Sequence, residues 1–133
     1  MRTRGPHKAI GLYAHLTWHT WRREPSIRGV DAQVVAQVVL EAARRCRVRV
    51  HAQAVLADHV HVLLSYPPDV TLSSFIRHAK SESARRINLT RSEAGSFRWA
   101  RGFYVGSLSR SHVRAARVYL ANQGVRHPDR LPA

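Results

Sequence analysis

The chain has 133 residues, enough for one compact domain with one hydrophobic core, and its 22 Lys and Arg against 8 Asp and Glu leave a formal charge of +14. No stretch approaches the roughly 18 to 20 uninterrupted apolar residues of a membrane span, so the reading is a chain with no membrane segment. A single cysteine, Cys46, excludes an internal disulfide and fits a reducing cytoplasm, and an uncompensated positive excess points to a polyanion, nucleic acid first.

Residues 9 to 20, "AIGLYAHLTWHT", mix aliphatic, aromatic and threonine residues in partial alternation and predict a strand. "WRREPSIRG" reads as a polar loop around Pro25 and Gly29. In "DAQVVAQVVLEAARRC", Val34, Val35, Val38, Val39, Ala42 and Cys46 recur at helical spacing, with Asp31 as the expected N-cap. Residues 47 to 56, "RVRVHAQAVL", and then "HVHVLLSY" alternate as two adjacent antiparallel strands, with Ala57 and Asp58 as the turn between them.

A second helix, capped by Thr71, is expected to end near Leu89 and to carry Leu72, Phe75, Ile76, Ala79 and Ile87 on one side. Arg77, Lys80 and Arg85 lie towards another side as a basic stripe, which is read either as phosphate contacts or as a solvated surface. "TRSEAGSFRWARG" is loop-like and "FYVGSLS" a short strand. Ser109 or Ser111 then caps a last helix, "SHVRAARVYLANQ", stopped by Gly124. Strand, helix, strand, strand, helix, strand, helix predicts an α+β, ferredoxin-like, mostly antiparallel sheet with helices on one face and an additional C-terminal helix, in one domain spanning 1–133.

In "ADHVHVLLS", residues 57 to 65, His59 and His61 are two apart on a strand, so both imidazoles emerge from the same face. Neutral imidazole is the commonest side-chain metal ligand. With nine histidines in the chain, such a pair is weak on its own, and a structural or surface pair is the competing reading. Tyr119 and Gln123, four apart, share one face of the last helix. They offer a phenol oxygen and an amide oxygen, or simple packing. His15 and His19 also share a strand face, with no role assigned by the pattern. Trp18, Trp21 and Trp99 are candidates for stacking on unpaired bases, with packing the favoured reading for Trp18.

The strings "LADHVHVLLSYPPDVTLSSFIRHAKSESARR", "FRWARGFYVGSLS" and "VYLANQ", in that order, resemble the small single-tyrosine transposases of the insertion sequence 200/605 group, members of the histidine-hydrophobic-histidine nucleases. The resemblance runs from about His15 to Gln123. It implies that His59, His61 and Gln123 are metal ligands for a divalent ion, Mg²⁺ or Mn²⁺, and that Tyr119 is the nucleophile. Two imidazoles and an amide suit Mn²⁺ better than Mg²⁺. It further implies a transposase that cleaves and rejoins single-stranded DNA at hairpin-bearing ends through a 5′-phosphotyrosine, acting as a homodimer in which a tyrosine helix can serve the other subunit. Arg77, Lys80, Arg85 and Trp99 are the expected DNA contacts. Where the family usually has Met-Pro before the Asp-His-Val-His segment, this chain has Leu56 and Ala57. The alternative is a non-catalytic or host-domesticated single-stranded nucleic-acid-binding protein of the same fold.

Overall fold

A computed structural model describes residues 11–92, 96–122 and 131–132. Four strands, β1 (Leu12–His19), β2 (Arg49–Val55), β3 (His59–Tyr66) and β4 (Tyr104–Leu108), alternate with three helices, α1 (Gly29–Arg45), α2 (Leu72–Leu89) and α3 (Val113–Ala121). They form one sheet in the order β2-β3-β1-β4, and every neighbouring pair is antiparallel. This is the ferredoxin-like arrangement expected from the order of elements: each of α1 and α2 carries the chain past one intervening strand. Among the described residues no helix is long and apolar enough to cross a membrane.

The two-residue period of the central strands divides the sheet into two chemically different faces. Ala14, Leu16 and Trp18 of β1 and Val60, Val62 and Leu64 of β3 point to one face and pack with Val35, Val39 and Ala42 of α1 and Phe75, Ile76, Ala79 and Ile87 of α2. All of these are at most 1% exposed, and each fully buried Val, Leu, Ile or Phe contributes about 1.5 to 3 kcal/mol. Tyr13, His15, Thr17 and His19 of β1 and His59, His61, Leu63 and Ser65 of β3 alternate onto the other face. There α3 packs across β2 and β3, and Leu63 and Leu120 are both buried.

Local details depart from the sequence reading. α1 begins at Gly29 with Arg28 as its N-cap, and Asp31, the expected cap, is the third helical residue. Its carboxylate reaches back to accept the Arg28 N–H at 3.0 Å, satisfying a donor that the first turn leaves open. In β2 the alternation is broken: Val50 pairs with Leu64 but Ala52 with Leu63, so His51 is a bulge. The extra residue lets Val50 and Val55, an odd number apart, both pack against the core. The last helix is preceded by a 3-10 turn, Arg110–His112, in which the Ser109 hydroxyl bonds the His112 ring rather than a helix N–H.

Candidate active site

The β2–β3 turn and the first residues of β3 place two imidazoles side by side. His59 Nδ1 donates to Asp58 Oδ1 at 2.6 Å, which fixes its tautomer and leaves the Nε2 lone pair turned towards His61. His59 Nε2 lies 3.1 Å from His61 Nε2. Two nitrogens at that separation, each about 2.1 Å from a shared ion, subtend about 95°, close to the right angle between adjacent octahedral ligands. The pair therefore fits a divalent cation. No third His, Cys, Asp or Glu joins them among the described residues, and Gln123, the expected amide ligand, lies outside those residues.

Tyr119 projects from α3 towards the same spot. Its ring centroid is 6.5 Å from that of His61 with the planes at 85°, and the residue is 41% exposed. The Tyr119 ring thus lies edge-on to one of the two imidazoles within a single chain, partly exposed itself while His59 and His61 are buried at 7% and 9% exposure. Tyr119 and His61 are 58 positions apart in sequence and are brought together only because α3 returns to the sheet face that α1 and α2 leave uncovered.

β1 completes the wall. Thr17 is directly across the ladder from His61 and His19 directly across from His59. His15 Nε2 is 2.9 Å from His61 Nδ1, and Thr17 Oγ1 is 3.3 Å from the same nitrogen. Burial holds the His15 and His19 imidazoles below the usual histidine range, with Arg23 and His59 lowering His19 further. Both are therefore biased to the neutral form. Farther along the face, burial and the neighbouring Arg49 and Arg117 charges lower His51, whose Nε2 sits 2.8 Å from Ser65 Oγ. The alternation in β1 puts His15 and His19 on one face in the sequence, but their meeting with His59 and His61 depends on strand register, which the pattern does not encode.

The expected DNA contacts divide by their surroundings. Arg77, Lys80 and Trp99 line one cavity of about 480 Å³ between α2 and the 99–103 segment, together with Ile76 and Phe103. Lys80 Nζ donates to the Ala100 and Gly102 carbonyls at 2.8 and 2.9 Å, and burial lowers its pKa. It pins the segment that forms the cavity wall. Arg85 makes two bonds to Glu82, at 2.9 and 2.7 Å, away from the cavity. Trp99 Nε1 donates to Ser83 Oγ at 3.0 Å, and its ring meets Trp18 and Phe97 edge-on. Trp18 is 1% exposed, which removes it as a base-stacking surface and agrees with the packing reading. Trp21 lies beneath the Arg98 guanidinium, 4.1 Å from the ring centroid.

With this geometry in place, comparison with known proteins is informative. The transposase for insertion sequence element IS200 of Salmonella typhimurium is 24% identical over 105 residues, covering 75% of this chain and 69% of that protein. The ISDra2 transposase TnpA of Deinococcus radiodurans is 32% identical over 76 residues, 57% of this chain and 54% of that one. Among solved structures, a candidate transposase from Deinococcus radiodurans superimposes with a TM-score of 0.67 at 27% identity, covering 92% of this chain and 98% of its own. The REP-associated tyrosine transposase bound to a REP hairpin shares the fold, with a TM-score of 0.71 at 18% identity over 96% of this chain and 74% of its own. The family model for IS200-like transposases matches residues 8–123, which include every site residue described above, and the chain belongs to that family.

Proposed function

We propose that this IS200-like transposase cleaves and rejoins single-stranded DNA by transesterification, with Tyr119 as the nucleophile. The observation that carries the reading is the edge-on approach of the partly exposed Tyr119 ring to His61, whose Nε2 lies 3.1 Å from that of His59. The Tyr119 oxygen forms a bond to a backbone phosphorus and the P–O3′ bond breaks. This leaves a 5′-phosphotyrosyl link and a 3′-hydroxyl that takes up the proton the phenol gives up. One phosphoester replaces another, so the reverse attack by a 3′-hydroxyl rejoins a strand without an external energy source.

In this reading His59, His61 and Gln123 hold Mn²⁺ or Mg²⁺, which when bound supplies neutralisation of phosphate charge. Asp58 keeps His59 in the tautomer that leaves Nε2 free to coordinate. The Tyr119 ring lies against His61 of its own chain, which supports service in cis.

The substrate is a hairpin-bearing single strand. A net charge of +14 favours the DNA backbone, and the cavity of Arg77, Lys80 and Trp99 gives it a basic, partly aromatic surface. The REP hairpin bound by the neighbour of like fold supports the choice of a hairpin. The partner protein is a second copy. In the described residues β4 pairs with β1 alone, so its outer backbone groups lie along an edge on which Phe103, Tyr104 and Val105 are exposed. Such an edge is suited to strand pairing across a two-fold axis.

The test uses hairpin oligonucleotides taken from the DNA flanking the gene, with Mn²⁺ present. A covalent protein–DNA adduct on a denaturing gel is expected for the wild type and none for Tyr119→Phe, with hairpin binding retained by both. An undiminished adduct in Tyr119→Phe refutes the nucleophile. Salt-sensitive binding without any strand breakage, unchanged in His59→Ala, establishes the non-catalytic alternative instead.

A further inference from the structure

We infer that His15 is a positioning residue for the metal centre, acting through His61. The inference rests on the reading of His59 and His61 as cation ligands. A histidine that presents Nε2 to a cation carries its proton on Nδ1, and a buried Nδ1–H needs an acceptor. The two ligands meet this need in different ways. His59 donates to a carboxylate supplied by its own neighbour, Asp58. His61 lies opposite β1 and finds the His15 Nε2 at 2.9 Å, with the Thr17 hydroxyl farther away at 3.3 Å.

The ring geometry favours His15 as the principal acceptor. The His15 and His61 planes are tilted by only 30° with centroids 5.0 Å apart, so the Nε2 lone pair of one lies near the plane of the other's N–H. For His15 to accept, its own proton sits on Nδ1, and the chain runs from His61 Nδ1–H to His15 Nε2. His15 has no place among the ligands themselves, because the nitrogen of His61 that it touches is the one turned away from His59. Its contribution is orientation: it sets which tautomer of His61 is present and locks the ring rotation that brings both Nε2 atoms within 3.1 Å.

The experiment measures Mn²⁺ affinity of the full chain by isothermal titration, without DNA, for wild type, His15→Phe and His15→Gln, with thermal melts to verify folding. Loss of an outer hydrogen-bond partner weakens metal binding about 10- to 100-fold, and that loss is expected for His15→Phe. The Gln side chain places an amide oxygen where Nε2 stood, so His15→Gln is expected to recover to within about threefold of wild type, which a merely space-filling role does not require. Affinity in folded His15→Phe within twofold of wild type overturns the proposal. Equal weakness in folded His15→Gln and His15→Phe also overturns it, since acceptance of a hydrogen bond is then not what matters. If the wild type binds no Mn²⁺ while His59→Ala behaves the same, the metal reading itself fails and this inference falls with it.

Discussion

The segment behind the β2–β3 turn is braced by a buried ion pair, and breaking that pair tests the packing argument. Arg91, just after the end of α2, donates through Nη2 to the Ser26 carbonyl at 2.6 Å and to the Asp31 carboxylate, and the Arg91 and Asp31 side chains are 5% and 3% exposed. Ile27, between these partners, donates its N–H to the Ala57 carbonyl at 3.0 Å, beside Asp58 and His59. Arg91→Met keeps an apolar stem of similar length and removes the charge, together with the guanidinium that lies 5.4 Å from the Phe97 ring centroid, leaving Asp31 buried with the Arg28 N–H as its remaining described donor. Stranding one partner of a buried pair costs about 3 to 5 kcal/mol. For 133 residues at about 2.1 cal/mol/K each, the unfolding entropy is about 280 cal/mol/K, so the melting temperature should fall by roughly 11 to 18 °C. Adding Asp31→Asn removes the stranded charge while keeping an acceptor for the helix N-terminus, and the double variant should regain most of the loss. Urea denaturation and calorimetry read both. A loss below about 1 kcal/mol in Arg91→Met, or a double variant as unstable as the sum of the singles, refutes the reasoning.

Two further outcomes follow from the cavity wall and the helix surface. Gly102 holds φ at +83°, and a methyl group added there would meet no atom within 4 Å, so Gly102→Ala should cost about 1 to 2 kcal/mol from backbone strain alone, or roughly 4 to 7 °C, and loosen the carbonyl that Lys80 grips; an unchanged melt contradicts it. Bonds from Arg85 and Arg86 draw the Glu82 carboxyl from the ordinary 4.5 down to about 2. Because the folded pKa is the depressed one, the stabilisation is complete above about 4.5 and is lost as pH falls towards 2. The stability gap between wild type and Glu82→Gln should therefore close over that interval in acid titrations, and a gap independent of pH would show that Glu82 acts through packing.

The parts of this site legible in the sequence are those that depend on separations of a few residues. The alternation of β3 places His59 and His61 on one face, helical spacing finds α1 and α2 with their buried sides, and the element order leads to the ferredoxin-like sheet. Tyr119 is recognised through ordered motifs rather than geometry, since no local pattern says that α3 returns to the open face. Features that arise from register are out of reach. The bulge at His51 is invisible in "RVRVHAQAVL" because an extra residue in a strand looks like continued alternation until its partner is known. Lys80 reads as a free basic residue on a stripe because helical spacing does not reveal the Ala100 and Gly102 carbonyls that come to meet it.

The same distinction explains the asymmetry of the two proposed metal-ligating histidines. Asp58 and His59 are adjacent, so the orientation of one imidazole is written within a dipeptide and travels with any motif that contains it. His61 depends on His15, 46 positions away, and that contact exists only in one pairing of β1 with β3. A one-residue slip of that pairing turns His15, Thr17 and His19 into the apolar core and brings Leu16 and Trp18 to the open face. The burial of Leu16 and Trp18 beneath α1 and α2 therefore holds the register, and through it the orientation of His61. Core packing on one side of the sheet is what sets the arrangement of the histidines on the other.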